Sequence, residues 1–161
     1  MYEIGRRAGV GQATLYRHFP DRAAIVATLC RDHVDQIEAV AAEHELDDHA
    51  IIAVLEASVD MLVRNHDVLG ILREDAALAP VLTELRLRML AVLETALRRS
   101  RPADLLRDDL RADDLLLLLT MINGGLVGVE TREERTEAAH RALDLALNGL
   151  RRHPAGDATD G

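Results

Sequence analysis

Apolar residues recur at intervals of three and four along most of this 161-residue chain. That spacing lines one face of an α-helix, whereas a half-buried strand alternates with a period of two. The first stretch is short: Ile4 and Ala8 lie four apart, Gly9 can take the left-handed conformation that ends a helix, and Val10, Leu15 and Phe19 continue the apolar pattern. Two short helices joined by a glycine turn are the outline of a helix-turn-helix. Asp21, after Pro20, then reads as the N-cap of a long helix to about residue 43, with Val26, Cys30, Ile37 and Val40 on one stripe and His33 beside them. A break at Asp47 and Asp48 precedes a helix over 50–65 with Ile52, Leu55, Val59 and Leu62 inward. A shorter helix is expected from Val68 to Ala79, stopped by Pro80. The next amphipathic helix, 81–99, uses Leu82, Leu85, Met89, Val92, Leu93 and Leu97 and ends before Pro102. A nearly all-apolar helix is expected over 112–129. Thr131 and Glu134 form a capping box that opens a last helix to about Leu150. The expected fold is all-α, a helix-turn-helix end followed by a helical bundle.

Composition sharpens this picture. With 48% apolar but only 2% aromatic residues, the core must be aliphatic and alanine-rich, which favours helices. Charge is uneven: residues 1–22 hold four Arg against Glu3 and Asp21, whereas the remainder holds fifteen Arg against twenty-six acids. An acidic body with a mildly basic tip confines nucleic-acid contact to the tip and makes it salt-dependent. The single cysteine, Cys30, excludes an intramolecular disulfide framework. The apolar run from Leu115 to Val129 is interrupted by Thr120 and Asn123, bracketed by Asp113, Asp114 and Glu130, and shorter than the roughly 20 residues a membrane span needs. No signal peptide precedes the motif, so a cytoplasmic protein that does not enter the membrane is expected.

The polar face of the second short helix carries the candidate DNA contacts. Gln12 can present a donor and an acceptor side by side to an adenine edge. Tyr16 offers a hydroxyl to a phosphate and a ring face to a thymine methyl. Thr14, Arg17, His18 and Arg22 suit phosphate oxygens, contacts that set position rather than sequence. Such a mix can also merely solvate a helical surface. The joint occurrence of apolar pattern, glycine turn, aromatic and basic residues within sixteen positions favours DNA.

The run Ala8-Gly-Val-Gly-Gln-Ala-Thr-Leu-Tyr-Arg-His-Phe-Pro-Asp-Arg resembles the signature of TetR-family transcriptional repressors. The resemblance implies that the second motif helix lies in the major groove, with the positions matching Gln12, Ala13, Tyr16 and His18 on bases or phosphates. It also implies a dimer through the last two helices and a ligand pocket between the middle ones. In that family another helix precedes the motif. The expectation here is of a shortened, incomplete DNA-binding end that leaves Ile4, Leu15 and Ile25 without an apolar partner. The expected division is 1–36 for the partial DNA-binding domain with the start of the connecting helix, 37–152 for the ligand-binding and dimerisation domain, and 153–161 for a disordered tail.

A helix as apolar as 112–129 must bury one face in its own domain and the other elsewhere, most simply in a second subunit. Leu117, Met121, Gly124 and Gly128 on it, with Ala139, Leu143, Ala146 and Leu150 on the last helix, are the expected homodimer interface, the glycines permitting close approach; a monomer burying both helices in one core is the alternative. For a small-molecule effector, a cavity lined by the helices at 21–43, 50–65 and 81–99 is expected, with Met61, Met89 and Met121 as an adaptable wall, Cys30 and His33 on one face, and Asn123 as a polar group in an apolar run. Each of these also has a plainer reading as core. Catalytic signals are poor. His44, Glu45 and His49 lack the spacing of a zinc protease, and Glu137 with His140 lacks the second pair that a di-metal bundle requires. No enzyme, cofactor or metal is expected. The function expected is a repressor released from a double-stranded DNA operator by a small-molecule effector; the alternative is a dimerisation and ligand-binding module that sequesters a full-length relative.

Overall fold

A computed structural model describes residues 22–100 and 106–151, and the side chains of Arg22 and Glu74 lie outside that description. Among the described residues six helices follow one another: α1 (Arg22–Glu43), α2 (Ala50–Arg64), α3 (His66–Glu74), α4 (Ala79–Ser100), α5 (Ala112–Gly125) and α6 (Arg132–Leu150), with a 3₁₀ turn at Ala76–Leu78. The expected all-α architecture is present. α1 runs unbroken through residue 36, where the sequence reading placed a domain boundary.

Each break has a local cause. After α1 the Asp47 carboxylate accepts the His49 backbone N–H at 2.8 Å and meets the His44 ring at 3.1 Å. These bonds hold its pKa below the ordinary carboxylate value, the His49 N–H contributing most. α2 then starts with no side-chain cap of its own at His49. One of its unpaired N–H groups, that of Ile51, donates instead to Ser100 Oγ at 3.0 Å, so the buried C-terminal residue of α4 caps the start of α2. The Thr131 and Glu134 capping box is present, with Glu134 N–H donating to Thr131 Oγ at 3.1 Å and Thr131 N–H to the Glu134 carboxylate at 3.2 Å.

Two expected boundaries are corrected. Pro80 does not stop a helix; α3 ends at Glu74, Asp75 accepts the Ala77 N–H at 3.0 Å to form the 3₁₀ turn, and Pro80 sits in the first turn of α4. A first turn has no intrahelical acceptor for its N–H groups, so proline costs nothing there. α5 stops at Gly125 rather than Val129. The paired Gly124 and Gly125 weaken the helix, three-residue bonds from Leu126 to Asn123 and from Val127 to Gly124 tighten its end, and Leu126 turns back into the core. Gly128 adopts φ +85°, a conformation that disfavours any other residue. It therefore shapes the turn into α6 and is not part of a helical small-residue pair with Gly124.

α2 is the hub. Ile51, Val54, Leu55 and Val59 have no exposed surface, and they pack with Leu93, Ala96 and Leu97 of α4, Leu115, Leu119 and Ile122 of α5, and Ala139 and Leu143 of α6. A second apolar cluster gathers Val26, Ala27, Cys30 and Val34 of α1 with Leu72, Leu78 and Leu85, and Met89 touches both clusters. The α1 stripe includes Val34, which the sequence reading omitted, while Val40 is only half-buried.

Candidate functional site

The candidate DNA-contacting residues Gln12, Ala13, Thr14, Tyr16, Arg17 and His18, together with Ile4 and Leu15, lie outside the described residues, as does the Arg22 side chain. What is described is the helix that leads away from them. Ile25, expected to lack apolar cover, is buried, with 3% of its surface exposed.

α1 is fastened to α4 at three levels. Arg31 grips both Glu84 oxygens, with contacts of 2.6 and 2.9 Å. Arg88 makes a two-pronged bond to Glu38, at 2.7 and 2.9 Å, and also reaches Asp35. Arg99 reaches the Ala41 carbonyl at 3.5 Å and Glu45, just beyond the end of α1, at 2.8 Å. Hydrogen bonding to Arg31 holds the Glu84 carboxyl below its usual range, and the two carboxylates on Arg88 raise that guanidinium further above its already high value. Fork-shaped guanidinium pairs fix direction as well as distance, so those of Arg31 and Arg88 orient α1 against α4. The sequence reading missed all of them. Their partners lie fifty or more positions apart, and the only signal was arginine and carboxylate on the polar faces of two long amphipathic helices.

The expected effector residues do not converge. Cys30 lies in the smaller cluster, where burial pushes its thiol up to about 11. Half-buried His33 has its pKa lowered chiefly by burial, Asp32 raising it and Arg64 lowering it, and its Nδ1 is buried without a hydrogen-bond partner. Met61 is buried in the larger core, and its sulfur and backbone carbonyl both meet the Asn65 amide nitrogen. Met89 bridges the two clusters. Asn123 is buried, with Oδ1 unpartnered. Met121 is 65% exposed. Between α1 and α4 an open groove of about 380 Å³ is lined by Glu38, Ala41, Ala42, Glu45, Arg88, Ala91, Val92, Thr95 and Arg99, none of them an expected effector residue. His140, half of the apparent di-metal pair, instead meets Asp60 of α2 at 2.9 Å.

The outer face of α5 is apolar and uncovered. Leu117 is 59% exposed, and Gly124 and Gly128 are also exposed. Ala139 and Leu143, expected at a subunit interface, are instead consumed by their own core against α2, while Ala146 and Leu150 are half-buried. Val127 and Leu145 add to the uncovered apolar surface and were missed. Leu145 is two positions from Leu143, which on a helix places it on the other side.

Residues 1–29 match the family model described as bacterial regulatory proteins, tetR family. Over 150 residues the chain is 26% identical to the HTH-type transcriptional repressor Rv1474c of Mycobacterium tuberculosis, an alignment covering 89% of this chain and 78% of the relative. Its fold is similar to the crystal structure of the TetR transcriptional regulator SCO0520 from Streptomyces coelicolor, with a TM-score of 0.68 and 27% identity over 93% of this chain and 86% of that one. The N-terminal signature and the helical body thus agree in what they resemble, and the chain is similar to TetR-family transcriptional regulators over nearly its whole length.

Proposed function

We propose that this protein is a TetR-family regulator that acts in the cytoplasm as a homodimeric repressor and releases a double-stranded DNA operator when a small molecule enters its body. The observation that carries the reading is the fastening of α1 to α4 by Arg31, Arg88 and Arg99. α1 bears the matched DNA-binding segment on its N-terminal end, so a displacement of α4 carries α1 with it and changes the spacing of two recognition helices. Those helices must meet successive major-groove faces of one duplex. Gln12 reads a base, Ala13 packs close to the groove, and Thr14, Tyr16, Arg17, His18 and Arg22 hold phosphates. The uncovered Leu117, Met121, Val127 and Leu145 support dimerisation, with Gly124 and Gly128 at the same end and Ala146 and Leu150 at the margin. No catalytic step is assigned.

Fluorescence-anisotropy titration with the DNA flanking its own gene, at low and moderate salt, tests this. Competitor-resistant binding that weakens with salt, and that Leu117→Arg abolishes together with the dimer, is expected. Specific binding by a monomer contradicts the dimer, and absence of specific binding transfers the function to a sequestering module. A small molecule that binds the body without loosening the DNA contradicts effector release.

A further inference from the structure

The corner where α2 gives way to α3 faces the start of α6 across a cleft of about 240 Å³, lined by Val63, Arg64, Asp67, Arg132 and Arg135. Three guanidinium groups there share one lining carboxylate, and they are poorly engaged. Arg64 reaches Asp60 only at 3.9 Å. The Arg132 guanidinium makes no ion pair or hydrogen bond among the described residues. Arg135 touches the Val129 carbonyl at 3.5 Å through a terminal nitrogen, while its Nε is buried with no acceptor. The nearby Glu134 carboxylate is turned back onto Thr131.

An arginine Nε–H can only donate, and burying it without an acceptor is costly. Arg135 Nε is one of the buried side-chain polar atoms without a partner among the described residues, and it belongs to a residue that lines the cleft. A buried donor without an acceptor beside a cationic cleft suits an acceptor-rich, negatively charged occupant, and guanidinium forks match oxyanions best. The volume lies below the roughly 300 Å³ at which drug-sized ligands begin, so that occupant is small.

We propose that this cleft is a binding site for a small oxyanion, a carboxylate or a phosphate, held by Arg64, Arg132 and Arg135. It stands apart from the operator reading, because it rests on the cleft alone. Its position gives an occupant leverage: the lining residues Arg64 and Asp67 flank Asn65, the joint from which α3 runs to pack Leu72 against α1.

Titration calorimetry of the DNA-free full chain with inorganic phosphate, and separately with succinate, at low ionic strength decides the matter. Saturable binding of at least one probe, weakened tenfold or more in Arg135→Gln and in Arg64→Gln and unchanged in the distant Arg98→Gln, is expected. Binding of phosphate alone or of succinate alone names the anion; binding of both shows that the guanidinium cluster accepts either. Should Arg135→Gln melt early by circular dichroism, Arg132→Gln replaces it. Saturable binding of neither probe, or unchanged affinity in folded variants of the lining arginines, overturns the site without touching the DNA titration.

Discussion

The two apolar clusters are built differently. Around α2 the interior is aliphatic: Ile51, Leu55, Leu93 and Leu115 have no exposed surface, and buried Ser58 and Ser100 bond to backbone groups at 2.6 and 3.0 Å, with Asn123 Oδ1 left unpartnered. The cluster beside the DNA-binding end joins half of α1 to the nine-residue α3 and a 3₁₀ turn. A helix that short has little stability of its own. Between α1 and α4, Leu85 and Met89 pack against α1 and the ion pairs of Arg31 and Arg88 add to that packing. Dispersion and burial fix the hub, whereas the orientation of α1 on α4 also depends on bonds that can be exchanged.

The sharpest contrast is expected from truncating each core. Leu55→Ala and Leu93→Ala should each cost roughly 3 to 5 kcal/mol in urea unfolding, and Leu72→Ala nearer 2, because surface elements around the smaller cluster can collapse into the space. Equal costs would remove the distinction. Next in size, Arg88→Ala releases Glu38 and Asp35 together and should cost about 1 kcal/mol, diminishing with added salt. Under the proposed mechanism the same change loosens the coupling of effector to DNA more than it harms the fold, readable as a smaller effector-induced change in DNA affinity.

A smaller effect is expected from pH. Burial holds the folded His33 below its ordinary value, so the unfolded chain binds that proton more readily, and stability falls as pH drops from about 6.5 through the folded value. Above that window the residue contributes no slope. His33→Gln should flatten the fall in thermal melts between pH 7 and 5, and an unchanged slope would show that other groups cause it.

Much of the helical body was legible in sequence because its signals are local. The capping box of Thr131 and Glu134 fixed the start of α6, and the period through Leu55 and Val59 fixed α2. Pro80 was misread because a proline both ends helices and begins them, and only the Asp75 turn decides between the two. The extent of α5 was misjudged because Leu126 and Val127 continue its apolar run after the chain has turned. The site was less legible than the fold. Arg88 meets Glu38 across fifty residues, the arginine cleft draws on three helices, and Ala139 and Leu143 face inward only because α2 lies beneath them. None of that is encoded in spacing along one helix.

Cys30, the chain's one thiol, sits in the smaller cluster and serves as its reporter. Burial pushes its pKa up to about 11, so the closed state is unreactive and labelling proceeds through an open state in which the thiol is solvated and ordinary. Its labelling rate across a urea series, set beside global unfolding followed by circular dichroism, tests most directly whether the molecule is a fixed hub with a movable joint. Labelling through an opening that costs less free energy and depends less on urea than global unfolding is expected. Labelling that tracks global unfolding in both respects would mean that the two clusters open as one, and the division proposed here would be wrong.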